Sequence, residues 1–239
     1  MRNDTHPTTR TTVTTRLRRS RALLAVTLAG LLVLGGSAAA TAATPVPKPS
    51  VPYGSRTPDR APGYQGQVTC MPFESRGAKA LRDLLRRTYG ANSGGILRPC
   101  ASGGRSEHKE GRAYDWMLDA SRPADRAKAD AFLGWLTAKD ASGVAGGNAQ
   151  RLGVQYVIWD TRWWNTWTKR WQPYTGAVPH TDHVHMSLTW DGAYKRTSFW
   201  DGWAVARIDH GPCVATEGML APRYTAPNYT PCPRPRPAG

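Results

Sequence analysis

The chain has 239 residues, 40% of them hydrophobic, and carries 32 Lys and Arg against 17 Asp and Glu, a formal net charge of +15. This length accommodates one domain, or one domain with tails. So basic a chain meets polyanions readily, but it has no basic helix interleaved with stacking aromatics, and a nucleic-acid-binding module is not expected.

In chain order, the first 21 residues are polar and carry Arg10, Arg16, Arg18, Arg19 and Arg21 ahead of the apolar run ALLAVTLAGLLVLGG, which is followed by the small residues SAAATAAT. Basic, then apolar, then small is the layout of a secretory signal peptide, here residues 1–43 with cleavage between Ala40 and Thr44. The apolar run is short for a membrane span and has no second run to partner it, so membrane contact is expected only through this segment if it stays uncleaved. Removal takes six Arg and one Asp, leaving 26 basic and 16 acidic residues and a formal +10. The mature protein is expected to be a secreted, cell-wall-associated monomer that meets wall polymers more readily than a genome.

Residues 44–63 hold six prolines and read as a semi-stiff linker, since proline breaks helices and inner strands. A folded domain is expected over 64–220 and a second proline-rich tail over 221–239. SRGAKALRDLLRRTYG spaces Ala78, Leu81, Leu84, Leu85 and Thr88 at three- and four-residue intervals and stops at Gly90, which predicts an amphipathic helix. SRPADRAKADAFLGWLTAKD predicts a second helix, with Ser121 as cap, Pro123 in the first turn, and Ala127, Ala131, Trp135 and Ala138 along one face. GRAYDWML, VQYVIWD and DHVHMSLTW have strand character. Without strict helix–strand alternation, the fold class is α+β, a small antiparallel sheet with helices packed on it. In WDTRWWNTWTKRW, Trp164, Trp167 and Trp171 fall at helical intervals and read as a core stripe, or alternatively as an aromatic wall for sugar rings or peptide. Four cysteines in an exported chain favour disulfides, with three pairings open. Cys70 with Cys100 and Cys213 with Cys232 are preferred, each stapling one end of the domain.

Two short segments carry residues suited to chemistry. SEHKEGRAYD places His108 and Asp115 seven apart, and PHTDHVHMS places His180, His183 and His185 within six residues. On a strand His183 and His185 share a face; protonated together they would repel unless a metal, an acid or solvent accepts them, and zinc is the first candidate. Catalytic zinc takes three His or carboxylate ligands and keeps a fourth position open. His108 and Asp115 supply two, and His185 or His183 the third, with the neighbour placed as a base. A thermolysin-type HExxH is excluded because Arg112 stands four residues after His108. Asp182, Glu107 and Glu110 read as solvated loop charges, and His210 as structural.

Ser106, His108, Gly111, Ala113 and Asp115 form S-x-H-x-x-G-x-A-x-D, and His180, His183 and His185 form H-x-x-H-x-H. Together, over about Tyr64 to Gly202, they resemble the zinc D-Ala-D-Ala carboxypeptidase, lysostaphin and hedgehog group of metallopeptidases, in a secreted actinobacterial branch. The resemblance implies a hedgehog- and DD-peptidase-like fold, Zn2+ held by His108, Asp115 and His185, His183 as general base, and His180 in an outer position, orienting the base or stabilising an anion. It puts Ser106 near the substrate or in a loop-holding role, and small residues at 111 and 113 where the chain packs behind the metal. Asp182 stands where many carboxypeptidases of the group have Glu, and Arg98 and Arg105 are the candidates for a substrate-carboxylate Arg. The implied activity is amide hydrolysis in peptidoglycan stem peptides; the alternative is a non-catalytic module of the same fold that binds wall polymer or a partner protein.

Overall fold

A computed structural model describes residues 45–52, 57–71, 73–90 and 93–211. The signal segment, the C-terminal tail, Cys213 and Cys232 lie outside the described residues. The first helix, α1 (Arg76–Tyr89), starts where Ser75 Oγ accepts the Ala78 N–H and ends at Gly90, whose φ of 91° suits glycine. Its buried side includes Ala78, Leu81, Leu85 and Tyr89.

The second helix, α2 (Pro123–Thr137), begins with proline in its first turn, but its cap position is Arg122 and makes no side-chain capping bond. Ser121 instead turns back on Asp119, its N–H and hydroxyl both donating to Asp119 Oδ1. The buried face is also not the expected one. Ala129, Phe132, Leu133 and Leu136 face the core, while Ala127, Ala131 and Trp135 are only partly covered. Sequence spacing offered two apolar stripes on this helix, and the one with the larger aliphatic and aromatic area is buried. Phe132 lies edge-on to Trp116 at 5.9 Å between ring centroids. Three short helices complete the set: α3 (Gly147–Leu152), α4 (Trp190–Ala193) and α5 (Ser198–Asp201).

The sheet has five strands, β1 (Ala113–Met117), β2 (Val154–Trp159), β3 (Arg162–Asn165), β4 (Trp171–Pro173) and β5 (His183–Leu188), in the order β1-β5-β2-β3-β4, with every neighbour antiparallel. The fold is therefore α+β. Residues opposite each other on neighbouring strands share a face. One row runs Tyr114, Met186, Val157, Trp164, Trp171 across all five strands, and most of it, with Trp116 and Val184, is fully buried in the core against Leu81, Leu85, Phe132, Leu133 and Leu136. The next row, on the other face, runs Asp115, His185, Ile158, Trp163, Gln172. Polar and aromatic residues on this second face hold the site.

Two expectations are corrected here. The tryptophan segment 159–171 is a hairpin, not a helix: Asp160 and Thr161 have φ of 48° and 62° and turn β2 into β3. Trp164 is core, whereas Trp163 and Trp167 belong to the opposite face. The proline-rich stretch is not a free spacer either. Val46 and Val51 pack on the core, and buried Asp59 accepts the Ser198 N–H and hydroxyl and the Val205 N–H. Among the described residues no helix is long and apolar enough to cross a membrane.

Candidate metal centre

The segment before β1 is a single 3-10 turn, Glu107–Glu110, that presents His108. It starts at Ser106, whose Oγ accepts the His108 N–H at 3.3 Å, and ends at Gly111 with φ of 61°. A side chain at 111 would be strained by that conformation, and its Cβ would lie 2.1 Å from the Phe73 carbonyl oxygen. Ala113 behind it is fully buried. Gly111→Ala is expected to destabilise the domain by about 2 kcal/mol or more, read as a lowered thermal midpoint, because backbone strain and a clash add.

Three side chains meet at this point. His108 Nε2 lies 3.1 Å from Asp115 Oδ1 and 3.2 Å from His185 Nδ1, and His185 Nδ1 lies 2.9 Å from Asp115 Oδ1. Asp115 and His185 face each other because they are direct partners in the β1–β5 register. Donors about 2.0–2.2 Å from one tetrahedral ion are themselves about 3.3–3.6 Å apart, close to what is seen. Hydrogen bonding alone fits less well. His108 Nδ1 donates to the Ile96 carbonyl at 3.0 Å, which in a neutral ring leaves Nε2 with a lone pair aimed at the cluster. If both rings instead carried protons toward Asp115, two N–H groups would face each other at 3.2 Å. The outer contacts are those metal-binding imidazoles have: the Ile96 carbonyl for His108, and for His185 the Ser187 hydroxyl 3.4 Å from Nε2. The three residues form a buried group that could hold a metal ion. Burial alone would raise the Asp115 carboxyl, but bonds from His108 and His185 hold it well below the usual carboxylate range. His185 is shifted downward, mainly by burial.

His183 stands beside the group, its Nε2 3.6 Å from Asp115 Oδ1. Its Nδ1 lies 2.7 Å from Asp182 Oδ1, while the Asp182 side chain remains largely exposed, as expected of a solvated loop charge. Accepting the Nδ1 proton leaves the Nε2 lone pair directed toward the centre. That contact is invisible in sequence, since adjacent strand residues normally point to opposite faces; here Asp182 lies just before β5, where its carboxylate reaches back. His180 donates Nδ1–H to the Val178 carbonyl at 2.6 Å, and burial lowers its pKa to about 4. A neutral ring held this way offers no donor to an oxyanion. Its ring packs 4.8 Å from that of His183.

Ser106 is buried, and its contacts are with the loop: it caps the 3-10 turn, and its N–H donates to Gln67 Oε1. Arg98 braces the turn through a backbone bond to the His108 carbonyl. Arg105 lines a cavity of about 420 Å³ together with Tyr64, Glu107, Tyr156, Trp163, Trp167 and Tyr174. Sequence reading missed Glu107. Its carboxylate accepts the hydroxyls of Tyr156 at 2.7 Å and Tyr64 at 3.0 Å. Burial would raise it, but the Arg112 charge and the Tyr156 bond outweigh that and hold it below its ordinary value. Glu110 likewise is buried, paired to Arg112 Nε at 2.6 Å and accepting the N–H groups of Val68 and Thr69. The only available signal was Arg112 itself, since a basic residue two places from Glu110 in a loop can bury both charges.

Cys70 and Cys100 form a disulfide with Cα atoms 5.9 Å apart, a bond that fits an oxidising or extracellular location. It joins two segments that both hold the 3-10 turn: Met71 N–H donates to the Lys109 carbonyl, and Arg98 N–H to that of His108. With a sequence separation of 30, loop-closure entropy puts its contribution at about 3–4 kcal/mol. Reduction is expected to lower the thermal midpoint accordingly, measured with and without a thiol reductant.

Residues 72–185, just under half of the chain, match the model of the family described as VldE, C-terminal domain. That span runs from the approach to α1 through His185 and contains the three donors, His180 and His183. No curated protein and no solved structure matches the chain.

Proposed function

We propose that this protein is a secreted zinc-dependent peptidase that hydrolyses amide bonds in peptidoglycan stem peptides. The observation that carries this reading is a His–Asp–His donor set with an Asp-oriented imidazole, His183, immediately beside it. Two nitrogens and one carboxylate oxygen suit zinc, and the likeness to the zinc metallopeptidase motifs supports that choice over other ions that imidazole accepts. When bound, such an ion supplies Lewis acidity and brings the pKa of a water down to about 7.

The chain's own residues do the rest. His183 Nε2 accepts a proton from the nucleophile and returns it to the departing amine, while Asp182 keeps the Nδ1 tautomer and stabilises the ring when it is charged. Arg105, exposed at the edge of the adjoining cavity, is placed to hold a substrate carboxylate. The basic surface favours an anionic wall. Asp182→Asn is expected to lower the rate about tenfold while leaving metal content unchanged, since the ring loses its charge partner but keeps its position.

The test is digestion of purified peptidoglycan fragments with the zinc-loaded mature chain, read by mass. Two products that arise from one amide, with masses summing to the substrate plus one water, support the reading. Stoichiometric metal with no cleavage of any fragment would replace it with a non-catalytic module binding wall polymer or a partner.

A further inference from the structure

The face of the sheet that carries the metal donors continues without interruption into the aromatic cavity. In one register row, Asp115 pairs with His185, His185 with Ile158, and Ile158 with Trp163. Ile158 and Trp163 line the cavity. Two strand spacings separate His185 from Trp163, about 10 Å. Tyr156 bridges the two regions, its ring stacked on that of His185 at 5.6 Å while it too lines the cavity.

The cavity has an unusual lining. Tyr64 and Trp167 are 61% and 38% exposed although their rings lie 6.0 Å apart, and Trp163 packs 6.1 Å from Trp167. Aromatic area of this size is normally buried. The wall is not purely apolar, however: Arg105 adds a cation, and Glu107 a carboxylate carrying two tyrosine hydroxyls. Flat ring faces with polar groups at their edges suit a ligand that has apolar C–H faces and a hydroxylated rim. A pyranose ring has that build; an aliphatic or aromatic peptide side chain would leave the Arg105 guanidinium at the rim unmatched. The volume lies in the range of small-molecule sites.

We infer that the aromatic cavity formed by Tyr64, Trp163 and Trp167 is a saccharide subsite, which seats a pyranose ring of a glycan while the peptide borne by that glycan extends along the sheet to His108, Asp115 and His185. This deepens the proposed function and rests on it for the peptide. About 10 Å corresponds to about three extended residues, so the amide presented to the centre lies within the first three or so residues counted from the sugar. Arg105, at the cavity, meets a carboxylate on the glycan or on the first residues of the peptide.

The experiment titrates the mature, disulfide-intact chain with three probes, following tryptophan fluorescence and calorimetric heat: a chitin oligosaccharide, a muramyl peptide, and the same peptide without its sugar. The muramyl peptide is expected to bind about tenfold more tightly than the sugar-free peptide, and the oligosaccharide to quench tryptophan emission. Trp167→Ala, at a ring that is 38% exposed, is expected to remove that advantage and leave the affinity for the sugar-free peptide unchanged, with the thermal midpoint compared to that of the native chain as the control for folding. Equal affinities with and without sugar would overturn the inference. So would quenching by the sugar-free peptide but not by the oligosaccharide. Sugar binding without any hydrolysis would refute the peptidase reading and keep the subsite; hydrolysis that ignores the sugar would do the reverse.

Discussion

Replacing Asp115 by Asn, or either His108 or His185 by Ala, is expected to lower divalent-metal affinity by more than about 100-fold, above the 10–100-fold that loss of an outer partner costs. The three donor atoms lie 2.9–3.2 Å from one another, so each side chain contributes one corner and none can be replaced by a shift of its neighbours. Asp115 carries the one formal negative charge among the three donors, and two imidazoles converging without it would face each other with lone pairs or protons alone. Metal content per chain by elemental analysis, together with competition against a chromophoric chelator, reads the loss directly. Because an ion that binds only the folded chain raises its stability, the native protein should also melt at a higher temperature with zinc than with chelator, and the three variants should show no such difference. A native chain that takes up no divalent ion would end this account of the centre.

His183→Ala is expected to behave in the opposite way, keeping its metal but losing about 10²–10⁴-fold in hydrolysis, the usual contribution of a positioned general base. The reason lies in the orientation of the ring. Asp182 takes the Nδ1 proton at 2.7 Å, and Nε2 faces the centre 3.6 Å from the Asp115 carboxylate. His183 is not a member of the group that could hold the ion, so metal content and rate should separate. Elemental analysis paired with single-turnover digestion of wall fragments measures both on one preparation. If His183→Ala released the metal, the ring would be a ligand; if the rate were unchanged, another group would be the base.

Much of the centre was legible beforehand because its parts lie in two short segments with tight spacing. Ser106 to Asp115 and His180 to His185 contain every donor, and strand alternation already put His183 and His185 on one face. The supporting residues were not legible. Glu107 and Glu110 read as loop charges because their partners, Tyr64, Tyr156, Arg112 and the Val68 and Thr69 amides, come together only when the 3-10 turn is covered. Asp182 read as a solvated charge, and its contact with the neighbouring His183 depends on the local backbone at the start of β5, not on covering the turn. The tryptophan segment misled through its spacing, since intervals of three and four residues occur both on a helix face and in a hairpin with a turn and an outlying ring. On α2, two stripes of comparable spacing competed, and the one with Phe132, which carries the larger apolar area, is buried.

By itself the amino-acid sequence determined which side chains are available for chemistry, the fold class and the first helix with its Gly90 stop, and it favoured Cys70 with Cys100 among three open pairings. Only the tertiary structure decided that Asp115 lies opposite His185, and that the same row continues to Trp163. Those partners are tens of residues apart, and their register follows from burying Trp116, Val184, Met186, Val157 and Trp164 on the other face. A slip of one residue would turn the donors into the core and the core out to water. The hydrophobic face therefore sets the alignment of the polar one, and the site is assembled by packing energy that none of its own residues supplies.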